Sequence, residues 1–359
     1  MRYFLYAALF FTAISAQAQE LRIYNWKDYI DPSLIEGFER ETGISVNYQT
    51  YATAEELYAA LDAGTEFDLV VPSHFQLQRL IMQKKLRPLD LRKLSRYGNV
   101  DPKLIASLAG FSSSERYVVP YLWATVGLAF DSSLVGKLLG EPAPHSWRLL
   151  FDTKYISKLK PCGIGWLDAP VDTFSLWMNL QGKRLPDASP RRLIDAGEQL
   201  LNYSTSVRTL GNEFYIEQLS AGSLCVAMAW SGHALQAMTN RSDLDFIVPE
   251  EGGLLTIDSW GIPQSSKNPE LAYRFIDYML DPRNARLNTE TTRFYAPLRA
   301  DLPEMTELQS LKLVLPASER RRLYFLEPIN REQNRVIDER WKIIKQQYSM
   351  HQRPEDAAE

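Results

Sequence analysis

The chain has 359 residues, 45% of them apolar, 11% aromatic and 23% charged, so it is long enough for two domains, or one large one, with a sizeable buried core. This composition argues against disordered and fibrous proteins. The 40 Lys and Arg residues stand against 44 Asp and Glu residues, and the formal charge of −4 leaves no positive excess to follow a phosphate backbone, which disfavours nucleic acid as a partner.

The first 18 residues have the pattern of a secretory signal. Arg2 is followed by an apolar stretch, residues 3–14, and by the small residues Ala16 and Ala18 at the spacing of a cleavage site. An N-terminal core helix is the alternative, but the stretch lacks the polar alternation of a helix face. No other apolar run reaches the roughly 20 residues of a membrane helix. The sequence therefore predicts a soluble, exported protein cut after Ala18.

Strand-like and helical runs alternate after the signal. This order is typical of an α/β fold with a mainly parallel sheet that helices cover on both faces. Ligands of such sheets bind beyond the carboxyl ends of the strands, which here means residues 26–29 and 72–74. The predicted strands are residues 21–26, 44–48 and 67–71, and the predicted helices between them are residues 33–42 and 54–63.

A second region follows an apolar, β-rich segment at residues 117–130 that is suited to carry the chain from one lobe to another. Short strands in place of flexible linkers favour hinge closure on a ligand. The predicted domains are a signal at residues 1–18, a first lobe at 19–124 and 250–310, a second lobe at 125–249, and a C-terminal helical segment at 311–359 that packs on the lobes and ends in a mobile tail.

Enzyme motifs are absent from the sequence, and the four histidines have no metal-ligand spacing. Acidic residues instead recur beside tryptophans, as in Trp26 with Asp28, and carboxylates with aromatic faces are what an organic cation needs. Ordinary packing of tryptophans beside solvated acids is the alternative. The two cysteines, Cys162 and Cys225, can pair in an exported protein, and two buried free thiols are the other interpretation.

Six motifs follow one another along the chain, at residues 24–30, 38–44, 67–73, 120–125, 167–170 and 225–230. In this order they resemble the periplasmic polyamine-binding proteins of ABC importers, and the putrescine receptors most of all. The resemblance covers nearly all of the chain after the signal. It implies a two-lobed periplasmic-binding fold of type II with crossover strands at a hinge, and a membrane permease with its ATPase as partner.

The resemblance also implies a set of ligand-binding residues. The first lobe is expected to supply an aromatic wall, acids and a hydroxyl group, and the second lobe an acidic pair and a tryptophan. Cys162 and Cys225 lie where the putrescine receptors have a disulfide. The matching residues are Trp26, Asp28, Ser73, Asp258 and Tyr295 in the first lobe and Asp168, Asp172 and Trp230 in the second.

Three residues depart from the pattern of the family. Lys27 replaces a small hydroxyl residue, His233 replaces an aspartate, and Thr256 replaces an aromatic residue. Together they remove one carboxylate and one aromatic wall. Glu213 offers a compensating acid, and Lys27 either enters the cleft or extends out of it. A protonated His233 would make binding sensitive to pH near 6.5.

The sequence thus predicts a monomeric periplasmic receptor, without cofactor, metal or catalysis, for an amine such as putrescine. The three departures keep open an ω-amino acid or a monoamine as the ligand. Two other classes are weaker alternatives: a periplasmic hydrolase, for which no recognisable motif is present, and a receptor for a metal or an oxyanion, for which the sequence singles out no ligands.

Overall fold

Ten β-strands lie in the residues that this computed structural model describes, 19–110, 113–212 and 214–352. They are β1 (Glu20–Trp26), β2 (Ser45–Tyr51), β3 (Leu69–Val70), β4 (Val118–Asp131), β5 (Ile164–Trp166), β6 (Thr209–Leu210), β7 (Val226–Trp230), β8 (Leu244–Ile247), β9 (Gly253–Gly261) and β10 (Leu323–Phe325). They join in the order β2-β1-β3-β9-β4-β7-β5-β6, with β10 beside β9 and β8 beside β4. The outer strands are parallel and the central pair, β4 and β9, is antiparallel. The α/β class is confirmed.

Sixteen helices occupy the same described ranges. They are α1 (Pro32–Thr42), α2 (Ala54–Asp62), α3 (His74–Met82), α4 (Pro102–Ala109), α5 (Ser132–Leu139), α6 (Arg148–Phe151), α7 (Thr153–Leu159), α8 (Pro170–Leu180), α9 (Pro190–Ser204), α10 (Tyr215–Ser220), α11 (Ser231–Asn240), α12 (Pro269–Met279), α13 (Pro282–Thr292), α14 (Pro303–Ser310), α15 (Ala317–Arg320) and α16 (Arg331–Gln352). Local chemistry sets their ends. In α1 the Asp31 carboxylate accepts from the Ser33 amide, and Gly43 ends the helix with φ 69°.

The buried apolar side chains form two hydrophobic cores, and β4 contributes to both. Its first half, Val118 to Trp123, belongs to the first core, which also contains β1, β3, most of β9 and α12. Its second half, Val126 to Phe130, belongs to the second core with β5, β7, α8 and α9. We call the elements around these cores the first and second lobes. The predicted residue boundaries of the domains stay predictions.

The chain passes between the lobes three times. The first two crossings are β4 and β9, which pair along the middle of the sheet. The third is the segment around α15 and β10. This segment forms two hydrogen bonds with Val248, which lies between β8 and β9. The Glu319 carboxylate accepts from the Val248 amide at 2.6 Å, and Arg322 donates to the Val248 carbonyl at 2.5 Å. Beyond this crossing α16 packs on α9 and buries Ile337, Trp341 and Ile344 in the second core.

The predicted disulfide is confirmed. Cys162 and Cys225 are bonded, with their Cα atoms 5.5 Å apart and a separation of 63 positions in sequence. They precede the neighbouring parallel strands β5 and β7, and the bridge therefore fastens the starts of two core strands in the second lobe. The predicted signal, residues 1–18, and the last residues of the predicted C-terminal segment, 353–359, lie outside the described residues.

Candidate ligand cleft

The carboxyl ends of β1 and β3 meet at one edge of the first lobe because these strands are parallel neighbours. Trp26 ends β1 and packs its half-buried ring on Tyr51, with ring centroids 4.5 Å apart. The Lys27 amide donates to the Tyr51 carbonyl, and both Lys27 and Asp28 are exposed. Asp28 has a φ of 55°, a left-handed conformation that is uncommon outside glycine. The strand therefore turns sharply at this point.

Asp258 lies buried at the centre of this edge, with an exposed fraction of 5%. It belongs to β9, where it pairs with Ser73 at the start of α3. The Ser73 hydroxyl donates to one carboxylate oxygen, and the Tyr29 hydroxyl donates to the other at 2.5 Å. Burial raises the pKa of Asp258 to about 6, although the two hydroxyl groups act in the opposite direction. The sequence predicted Ser73 and Asp258 as ligand-binding residues here. Tyr29 belongs to the predicted strand-end segment 26–29 but was not singled out within it.

A cavity of about 350 Å³ lies between the lobes next to this edge. The second lobe supplies Asp172, from the first turn of α8, and Trp230, from the end of β7. Burial raises the pKa of Asp172 to about 7. The structure thus brings Asp172, Trp230 and Thr256 together, as predicted for one site. It adds His74, from the predicted strand-end segment 72–74, and Phe75, which the sequence did not indicate. The wall consists of His74, Phe75, Ala169, Pro170, Val171, Asp172, Trp230, Leu254, Leu255, Thr256 and Leu326.

Asp168 has a structural environment. One carboxylate oxygen accepts from the Trp341 indole at 2.7 Å, and the other accepts from the Lys345 ammonium at 2.5 Å. Its backbone is held by the Asn212 side chain, which both accepts from and donates to it. Both oxygens are therefore used to hold α16, and the structure gives no support to Asp168 as a ligand for a bound cation.

His233 lies in the first turn of α11, where its Nδ1 is 2.7 Å from the Tyr215 hydroxyl. Burial lowers its pKa to about 4. The prediction that His233 titrates near pH 6.5 is therefore wrong, since the ring is neutral throughout the physiological range. Its ring contacts Phe294 of the first lobe, with centroids 6.1 Å apart, and Phe294 contacts Tyr29 at 4.7 Å. Aromatic contacts thus link Tyr29, the hydrogen-bond partner of Asp258 in the first lobe, to His233 in the second lobe through Phe294.

Tyr295 is buried in the first core. Its ring packs on Trp123 at 4.5 Å, and burial raises the pKa of its hydroxyl. It lines another cavity, of about 810 Å³, between α4, α11 and the segment that precedes β10. The role of Tyr295 as a ligand-binding residue stays a prediction. Glu213, the proposed replacement acid, lies outside the described residues.

No group of three or more His, Cys, Asp or Glu side chains in residues 19–110, 113–212 and 214–352 is placed to hold a metal ion. No helix in that part of the chain is long and apolar enough to cross a membrane.

Comparisons with known proteins agree with this architecture. A family model described as bacterial extracellular solute-binding protein matches residues 33–316. The putrescine-binding periplasmic protein PotF of Escherichia coli is 33% identical, over 92% of this chain and 93% of its own length. The putrescine-binding periplasmic protein SpuD of Pseudomonas aeruginosa is 30% identical, over 93% and 94%.

Solved structures give the same result. The spermidine/putrescine substrate-binding protein PotD of Streptococcus pneumoniae superimposes with a TM-score of 0.76 and 25% identity, over 92% of this chain and all of its own. These similarities extend along both lobes, and the predicted type II periplasmic-binding fold is confirmed.

Proposed function

Because the chain belongs to the bacterial extracellular solute-binding proteins, we propose that it is a periplasmic receptor that captures a small amine between its two lobes. The observation that carries this proposal is the buried carboxyl of Asp258. Two hydroxyl groups orient it, and no cationic side chain in the described residues pairs with it. A carboxylate kept in this way is a natural partner for a ligand ammonium.

The relatives support an amine of the putrescine type. PotF and SpuD are both named as putrescine-binding proteins, and PotD is named for spermidine and putrescine. In the present chain Asp28 and Asp258 would hold an ammonium against the Trp26 ring. Asp172 and Trp230 would form the opposing wall. Lys27, which lies between Trp26 and Asp28, is exposed.

Closure of the cleft would follow from contacts that exist only when the lobes meet. A ligand that contacts both lobes stabilises the closed state only by the difference between its binding free energies to the closed and the open state. Phe294 of the first lobe already packs on the second, since a Cβ at Gly232 would lie 2.9 Å from its ring. This contact marks the surface across which the lobes approach.

The remaining parts of the proposal concern location and partners. The chain would be exported by a signal at residues 1–18, cut after Ala18, and would act as a monomer without catalysis. It would deliver its ligand to an ABC permease in the inner membrane. The finding that three similar proteins are named as binding proteins supports this role.

A thermal-shift and calorimetry series tests the proposal. Putrescine, cadaverine, spermidine, agmatine and 4-aminobutyrate are titrated into the wild type, because a ligand that binds only the folded state raises the melting temperature. We expect at least one amine to bind, and Asp258→Asn to weaken it strongly. Asp195→Asn, at an exposed acid of α9, is the matched control and should change nothing. If no amine shifts the melting temperature, the proposed function is wrong.

A further inference from the structure

His233 and Tyr215 form a buried pair whose hydrogen positions follow from the neighbouring groups. The Tyr215 side chain is 1% exposed, and burial raises the pKa of its hydroxyl, which therefore keeps its proton. Its oxygen accepts from the Trp230 amide at 3.4 Å. The buried proton still needs an acceptor, and His233 Nδ1 lies 2.7 Å away. Tyr215 therefore donates to Nδ1.

This hydrogen bond fixes the tautomer of the imidazole. A neutral imidazole has one protonated nitrogen, and if Nδ1 accepts, the proton is on Nε2. The lowered pKa of His233 keeps the ring neutral at physiological pH. Nδ1 faces Tyr215 in the second core, so the other edge of the half-buried ring turns outward, on the side where Phe294 of the first lobe approaches. His233 thus presents an N–H donor on the face of the second lobe that Phe294 approaches.

The surroundings of His233 disfavour a positive charge on a ligand. The first turn of α11 contains no acidic residue, and its end carries the positive pole of the helix dipole. The Ser231 hydroxyl already accepts from the Thr125 amide at 3.2 Å. The ring of His233 contacts those of Tyr215 and Phe294, and neither side chain carries a charge. An ammonium has donors only, so it gains nothing from Nε2–H.

We propose that His233 is a specificity-determining residue that selects, at the second-lobe end of the cleft, an oxygen acceptor of the ligand over a second ammonium. Tyr215 is the positioning residue that holds the donor. The ligand class is then an amine with one ammonium and a hydroxyl, amide or carboxylate oxygen at its other end. This inference rests on the proposed function, because it assigns the second end of a ligand whose ammonium Asp258 receives.

Three nearly isosteric compounds isolate this group. Putrescine, 4-amino-1-butanol and n-pentylamine share an ammonium and a four-carbon chain, and they differ only in a terminal ammonium, hydroxyl or methyl group. Calorimetry on the wild type should show 4-amino-1-butanol binding about tenfold tighter than n-pentylamine, the size expected for one buried hydrogen bond, and tighter than putrescine. 4-Aminobutyrate tests the carboxylate form of the acceptor.

Two variants test the assignment to His233. His233→Phe keeps a ring but has no donor, so 4-amino-1-butanol should lose its advantage over n-pentylamine. His233→Asp should make putrescine the tightest of the three compounds. If the wild type prefers putrescine to 4-amino-1-butanol, the inference is overturned and the proposed function stands. If none of these compounds binds but another amine of the thermal-shift series does, the inference is overturned and the proposed function stands. If no amine of either series binds, the proposed function itself has failed.

The role of Tyr215 has a readout of its own. Nitrogen-15 spectra of the ligand-free wild type should show a protonated Nε2 and an unprotonated Nδ1 in the His233 ring at pH 7. Tyr215→Phe should mix the two tautomers and reduce the preference for 4-amino-1-butanol over n-pentylamine. A protonated Nδ1 in the wild type would overturn the inference whatever the ligands do.

Discussion

Replacing Asp258 with asparagine should stabilise the ligand-free protein while weakening its affinity for amines. Folding raises the pKa of this carboxyl from 3.8 to about 6. When the pKa of a group is higher in the folded state, its contribution to the free energy of unfolding is fully present below the unfolded pKa. This contribution is lost as the pH rises through the folded pKa. At pH 7.5 the loss is about 3 kcal/mol, since each pKa unit corresponds to roughly 1.4 kcal/mol.

Asparagine removes this charge but keeps only part of the hydrogen bonding. Its single side-chain oxygen can accept from either Tyr29 or Ser73, and its amide group faces the other hydroxyl. One imperfect hydrogen bond offsets about 1 to 2 kcal/mol. We therefore expect Asp258→Asn to raise the free energy of unfolding by about 1 to 2 kcal/mol at pH 7.5, a shift of a few degrees in melting temperature.

The affinity should move in the opposite direction. A ligand ammonium that is desolvated against Asp258 would lose its counterion, which costs about 2 to 5 kcal/mol, or roughly 30- to several thousandfold in Kd. Thermal and urea unfolding without ligand give the stability, and calorimetry gives the affinity, with Asp195→Asn as the control. The stabilisation should shrink at pH 4.5, where the wild-type carboxyl is largely protonated. A variant less stable than the wild type at pH 7.5, or one with unchanged affinity, would refute the reasoning.

Three other changes test separate parts of the structure. Cys225→Ser opens a bridge across 63 residues, and loop entropy puts the loss of stability at about 4 kcal/mol in urea unfolding; a loss below about 1 kcal/mol would contradict this. Asp168→Asn weakens the contact with Lys345, so amide hydrogen exchange in α16 should accelerate. The affinity for amines should stay within about twofold of the wild type. A large loss of affinity would show that Asp168 belongs to the binding site. Gly232→Ala places a methyl group 2.9 Å from the Phe294 ring and should keep the cleft more open. We expect weaker ligand binding and a larger radius of gyration in small-angle scattering of the liganded protein. Unchanged scattering and affinity would show that the Phe294 ring moves aside.

Much of the first-lobe site could be predicted from the sequence, because its residues stand at the ends of strands whose order along the chain indicates a parallel sheet. Trp26, Asp28 and Ser73 follow directly from that rule. Asp258 comes from an antiparallel strand about 185 positions after Ser73, and only the resemblance to the family placed it in the same site. Its buried hydroxyl partner Tyr29 lies in the predicted segment 26–29 but was not singled out, because nothing in its local pattern distinguishes it from a packing residue.

The second-lobe side was predicted less well because its chemistry depends on contacts between distant elements. Asp168 looked like a binding acid beside Trp166, but its partners Trp341 and Lys345 lie more than 170 residues later. His233 was expected to titrate near its usual pKa, since the sequence could not show that Tyr215 would bury it. Burial and hydrogen-bond partners are properties of the packed molecule, and composition near a residue does not determine them.

The position of α16 affects the order in which this protein is able to fold. A ribosome releases the chain starting with its N-terminus. The members of the second core extend in sequence from Val126 to Ile344. The first core has the same property, with Leu21 and Leu315 as members. Neither lobe therefore has a complete interior until most of the chain has been synthesised. A nascent chain that cannot finish either lobe early stays unfolded for longer, and this property would suit the export across a membrane that is proposed above.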